Sequence, residues 1–274
     1  MKLLLVDNGS LEPAATLGLR AVAGRLGARI GREVAPVSLL YSDQVPAAQT
    51  GGVVAEILEP WLRRELAAGE TEFAVLPFFV GPSRAITDYL PALVGKLREE
   101  CPLLRVRVAP ALYQPGDPRL ARVLAERVRT AVTPEFARGE PLRVALADHG
   151  SPVPAVTAVR DALAAELAAA LGREAAAVAP CSMERRPGPA YAFNEPLLAT
   201  LLRRMPYDAG PVVVAQLFLL PGRHAGPDGD IAAICRQAET VAPSLRTVRT
   251  EVLCTHPDLI AVLADRWAAL PGWD

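Results

Sequence analysis

Long apolar runs, paired cysteines, basic clusters and histidines are all scarce in this chain, and each scarcity removes a class of function. No stretch of ~20 apolar residues occurs, so no membrane span is expected. The opening MKLLLVDNGS has too short an apolar run for a signal peptide and reads as entering a strand directly, so a cytoplasmic location is expected. Four cysteines (Cys101, Cys181, Cys235, Cys254) include no CxxC pair, which argues against a disulfide framework and against thiolate-held zinc or iron–sulfur. Of 29 basic residues only Lys2 and Lys96 are lysines, no basic run occurs and the formal charge is −1; nucleic acid is therefore not an expected partner. Histidine occurs three times, as His149, His224 and His256.

What is present is a strand–helix alternation. With 274 residues, 51% of them hydrophobic, the chain can build one large α/β domain or two of moderate size. Strands are expected at 3–6, 34–40, 73–80 and 104–109, and helices at 13–26, 53–66, 88–100 and 118–132. The second half repeats the first. VALADHGSPVPA (144–155) answers LLLVDNGSLEPA (3–14), VAPCSME (178–184) answers VAPVSLL (34–40), AQLFLLPGRH (215–224) answers LPFFVGPSRA (76–85), and HPDLIAVLADRW (256–267) answers DPRLARVLAERV (117–128). Four matches in one order mean a duplicated unit of about 137 residues, the size of a domain, with a junction in the polar stretch 133–141. Domains of 1–137 and 138–274 are expected, each a doubly wound, flavodoxin-like parallel sheet with strand 1 between strands 2 and 3.

That winding brings the C-terminal ends of three strands side by side, roughly 4.8 Å apart. In the second half those ends carry His149, Glu184 and His224; at the matching positions of the first stand Asn8, Leu40 and Ala85, none capable of the same chemistry. Two imidazoles and a carboxylate suit a divalent ion such as Co²⁺, Fe²⁺, Ni²⁺ or Zn²⁺, or proton transfer near neutrality. Asp228 and Asp230 superficially suggest a calcium loop, but further ligands are missing; Asp230 reads as a helix cap, as does His256. Ser151 reads as a turn or cap residue.

The His149-Gly150-Ser151 turn after a strand, Glu184 in CSME, and the loop LFLLPGRHAGPDGDI resemble the ATP-independent class II chelatases, the sirohydrochlorin cobalto- and ferrochelatases, in a tandem two-domain form. Asp148 departs from that family, which usually has Gly before the His; it is expected to orient His149 or to cap the next helix. The resemblance implies two chelatase-type domains facing each other across a cleft. It implies insertion of Co²⁺ or Fe²⁺ into sirohydrochlorin, a tetrapyrrole, for cobalamin or sirohaem synthesis. His149, His224 and Glu184 would be the catalytic and metal-holding residues, with no tightly bound cofactor and the metal as substrate. Arg223, Arg185 and Arg84, with Ser151, are the substrate-binding candidates, because guanidinium forks suit the macrocycle's carboxylates. The alternatives are a non-catalytic metal or tetrapyrrole carrier, or a chelatase for nickel. A monomer with pseudo-twofold halves is expected, a dimer being the alternative.

Overall fold

The computed structural model describes residues 1–270. β1 (Lys2–Asp7) is buried from Leu3 onward and feeds α1 (Pro13–Ile30), which opens on a proline and stops at Gly31 in the left-handed conformation, φ 67°. There follow β2 (Val34–Ser38), a two-residue β3 (Glu56–Ile57), α2 (Leu58–Ala67), β4 (Glu72–Pro77), α3 (Leu90–Glu100) and β5 (Arg105–Val108). Next come α4 (Arg119–Ala131), a single-turn α5 (Pro134–Ala137), β6 (Leu142–Asp148), α6 (Pro154–Leu171) and β7 (Ala175–Ser182). The rest is α7 (Leu198–Leu201), β8 (Gly210–Gln216), α8 (Asp230–Val241), β9 (Leu245–Arg249) and α9 (Pro257–Ala268). No helix is long and apolar enough to cross a membrane among the described residues.

Two parallel sheets result, ordered β3-β2-β1-β4-β5 and β7-β6-β8-β9. The first strand of each lies between its neighbours as the pattern requires, so the ends of β6, β7 and β8 are adjacent. One expectation needs correction. The helix expected over 53–66 begins only at Leu58, and the segment before it is extended, with Glu56 and Ile57 paired to β2 as an edge strand. Val53 and Val54 are exposed, and as β-branched residues they favour that extended backbone.

The chain packs as two compact units, Met1–Pro115 joined by the segment from Cys254, and Gly116–Leu253. Packing and repeat therefore divide the chain differently. α4 belongs to the first repeat yet packs on α6 and β8, whereas α9 belongs to the second repeat yet packs on α1 and β4. The apolar stripe Leu120, Val123, Leu124 and Val128 is what α4 buries in the second unit.

In the first unit one sheet face buries Leu4, Val6, Val37, Phe73 and Val75 against Leu62, Leu90 and Leu97, with Trp61 edge-on to Phe73 at 5.9 Å. A fully buried Leu62 or Leu97 contributes roughly 1.5–3 kcal/mol. The matching core of the second unit uses smaller strand residues, Ala145, Ala147 and Cys181, under Leu198, Leu202 and Ile231.

Candidate active site

β6 and β7 stay zipped one residue beyond the sheet. The Met183 amide donates to the Asp148 carbonyl at 2.7 Å and the Glu184 amide to the His149 carbonyl at 3.2 Å. Gly150 makes this possible: its φ is +94°, and a Cβ there would lie 2.0 Å from the Glu184 carbonyl oxygen. His149 and Glu184 are thereby set side by side, Nε2 to Oε1 at 3.4 Å, with about half of each side chain in solvent (48% and 62%).

The third side chain arrives from the loop between β8 and α8. The rings of His224 and His149 meet edge-on, 4.7 Å between centroids at 60°. The Nδ1 atom of His224 is 2.6 Å from Oδ2 of Asp230. Asp230 is the first residue of α8 and Gly229 is its cap, so the expected capping role is replaced by a grip on His224. His256 does cap, its ring nitrogen accepting from the Asp258 amide at the start of α9.

These contacts fix the tautomers. A carbonyl oxygen only accepts, so the 3.0 Å contact between His149 Nδ1 and the Gly150 carbonyl requires a proton on Nδ1. The Asp230 carboxylate holds the Nδ1 proton of His224 in the same way. With Nδ1 so engaged, Nε2 is the atom through which each ring can take a proton or bind a divalent ion. Among the described residues no three His, Cys, Asp or Glu side chains form a ready-made cage; His149 meets Glu184 and His224 in separate pairs, an open arrangement.

Asp148 does not cap the next helix. It accepts from the Ser182 hydroxyl at 2.6 Å and the Gly150 amide at 3.1 Å, while α6 is capped at Val153. Burial pushes its carboxyl above the ordinary range, partly offset by the Ser182 hydrogen bond and by the Arg160 guanidinium 3.8 Å away. Arg160 is almost wholly buried and donates to the Ser182 hydroxyl and the Asn194 carbonyl. Asn194 brackets Ser151 by accepting from its amide and donating to its carbonyl, each at 2.9 Å. Neither Arg160 nor Asn194 stands out by composition. The repeat does carry a signal for Arg160, since Leu19 occupies its place on the first-half helix.

The remaining candidates separate. Ser151 closes its own turn, its hydroxyl accepting from the Val153 amide. Arg185 is occupied by Glu195 and by the carbonyls of Arg186 and Gly188, so it clamps a loop. Arg223 is largely exposed, 3.8 Å from Asp230. In the other unit Arg84 is similarly exposed, 3.9 Å from Asp88.

The family model CbiX matches residues 143–270. That match spans a little under half of the chain and lies wholly in its second half. The matched segment contains His149, Glu184 and His224; it includes α9, which packs in the first unit, and leaves out α4, which packs in the second. Across nearly the whole chain the fold is similar to "SirB from Bacillus subtilis with Fe3+", with TM-score 0.69 and 17% identity over 98% of this chain and 95% of that one. SirB from Bacillus subtilis subspecies spizizenii in complex with cobalt gives TM-score 0.67 and 15% identity, covering 97% and 94%. CbiX, the terminal enzyme for siroheme biosynthesis in denitrifying bacteria, gives 0.60 and 18%, covering 98% and 100%. These likenesses establish a chelatase-type α/β fold for both sheets. No curated relative matches the chain.

Proposed function

We propose that the chain inserts a divalent metal, Co²⁺ or Fe²⁺, into sirohydrochlorin without a nucleotide, serving cobalamin or sirohaem synthesis in the cytoplasm. The observation that carries this reading is the His149–His224 pair, rings 4.7 Å apart and each with Nδ1 already engaged. Insertion releases two pyrrole protons, so it needs proton acceptors beside the entering ion. The Nε2 atoms of His149 and His224 supply two, and the Glu184 carboxylate beside His149 assists as a third oxygen donor or proton relay. Because both residues expose a large part of their surface, ion and macrocycle reach them without a local rearrangement. The metal is substrate, not resident cofactor, which agrees with an open donor set in place of a closed one.

The exposed guanidinium of Arg223 is the best-placed substrate-binding candidate of the second unit, adjacent in sequence to His224. Arg84 remains a candidate of the first. On this reading 138–274 carries the catalytic residues and 1–137 is a domain without them, within a monomer. The test is an absorbance assay with purified protein, sirohydrochlorin and Co²⁺ or Fe²⁺. Conversion to the metallated spectrum, abolished in His149→Ala and His224→Ala, supports the reading. Tight binding of macrocycle or ion without conversion would replace it by a carrier.

A further inference from the structure

The loop that brings His224 to His149 has little of its own to hold it. Residues 221–229 contain two prolines and three glycines and no strand pairing. Internal contacts run from the Gly226 amide to the Gly222 carbonyl, from the Gly229 amide to the Gly226 carbonyl, and from the Ile231 amide back to the His224 carbonyl. They shape the loop but do not tie it to the sheet.

That tie comes from Arg249. It is the last residue of β9, in register with Val214 of β8. Its Nη1 donates to the Gly226 carbonyl at 2.8 Å and its Nη2 to the Pro227 carbonyl at 2.9 Å. A planar guanidinium bound to two successive carbonyls fixes direction as well as distance, which one ammonium does not do. In the first unit the residue in register at the same place, opposite Val75, is Val108. Valine donates nothing, and the matching loop there carries Ala85 where the second half has His224. The arginine and the imidazole are thus present together in one unit and absent together in the other.

We infer that Arg249 is a positioning residue for His224, acting through the Gly226 and Pro227 carbonyls. The inference rests on the insertion chemistry proposed above only for its kinetic readout. Misplacing a reactive group by about 1 Å costs on the order of 100-fold in rate, and losing a supporting hydrogen bond typically 10–100-fold.

The test uses the full chain with Arg249→Val, which installs the first-unit residue, and Arg249→Lys. Insertion kinetics, thermal melting and ¹⁵N resonances of the imidazoles are recorded, the last being tractable with only three histidines. Arg249→Val is expected to lower kcat about 10-fold or more with KM for the macrocycle within about twofold. It should also shift or broaden the ring resonances of His224, and with them those of the contacting His149, while leaving those of His256 in place. Arg249→Lys, still able to donate to one carbonyl, should recover part of the rate and of the His224 signal. An unchanged kcat and an unchanged His224 spectrum in Arg249→Val would overturn the inference. So would equal losses in the two variants. If the wild-type chain inserts no metal, the functional reading fails while the His224 spectrum still decides the role of Arg249.

Discussion

The two sheets share a turn and differ in what surrounds it. In both, the strand after which the site is built ends in a buried aspartate, Asp7 or Asp148, followed two residues later by a glycine in the left-handed region. In both, that glycine lets the neighbouring strand end come close: a Cβ on Gly9 would lie 1.7 Å from the Leu40 carbonyl oxygen, as one on Gly150 would meet that of Glu184. Ser42 grips the Ser10 amide in the first unit as Asn194 grips that of Ser151 in the second. The turn has thus been kept where the proposed reacting groups have not. Around the second turn, however, a set of buried polar side chains has no first-unit equivalent. Arg160 stands where the other repeat has Leu19, and Gln216 and Thr250, bonded to one another, stand where it has Pro77 and Ala109. Buried hydrogen bonds of this kind immobilise a loop at a net gain of only ~1 kcal/mol each. Their concentration under one site only indicates that placement, not stability, is what they serve.

Breaking this asymmetry at the imidazoles gives the largest expected effect. His149→Ala or His224→Ala should reduce metal insertion by at least 100-fold, about 2.7 kcal/mol of barrier, whereas Asn8→Ala should leave it within twofold in the same absorbance assay. Equal losses at Asn8 and His149 would end the one-site reading.

Alanine at the two glycines sharpens the comparison. Gly9→Ala and Gly150→Ala each impose a left-handed φ and displace a carbonyl, so each should lower unfolding free energy by about 3 kcal/mol in denaturant titrations. Only Gly150→Ala should also depress kcat, because only there does the displaced carbonyl belong to a reacting residue.

The buried aspartates should respond with the same sign and different size. Asp7 has no guanidinium beside it, one of its oxygens has no hydrogen-bond partner, and burial raises its pKa from 3.8 to about 6. The folded state therefore holds this proton more tightly than the unfolded one. Its favourable contribution is complete below about pH 3.8 and is lost as pH rises to about 6, a change of about 3 kcal/mol. Asp7→Asn should remove that slope and stabilise the chain at pH 7. Burial also raises the Asp148 carboxyl, but the Ser182 hydrogen bond and the Arg160 guanidinium offset part of the shift, so Asp148→Asn should remove a slope of the same sign with a smaller gain at pH 7. Melting curves between pH 4 and 8 check both.

The smallest effects are expected at exposed arginines. Arg223→Ala should raise KM for the macrocycle a few-fold, about 1 kcal/mol, with kcat unchanged. Arg185→Ala should act through its loop and lower thermal stability slightly.

Much of this was legible before any coordinates. Alternation of apolar strands with amphipathic helices reports a doubly wound sheet, because both faces of a parallel strand are covered. The repeat made His149, Glu184 and His224 visible by contrast with Asn8, Leu40 and Ala85. Less legible were residues whose roles depend on distant partners. Asp230 sits at a helix start, where a carboxylate is commonplace, and nothing local shows that it faces a ring six positions earlier. Asn194 lies in a stretch rich in charge and proline that reads as solvated, yet it is fully buried. Arg185 looked free because the sequence hides Glu195 curling back to it.

The exchange of α4 and α9 between the repeats bears on biosynthesis. As the nascent chain leaves the ribosome, the sheet β3-β2-β1-β4-β5 is finished early, but the helix that covers its flank follows only after the whole of Gly116–Leu253 has been translated. Cutting the gene at the repeat junction would therefore give two fragments, each ending in a helix meant for the other. Joining Met1–Pro115 directly to the segment that begins at Cys254 is the splice that would yield a self-sufficient half.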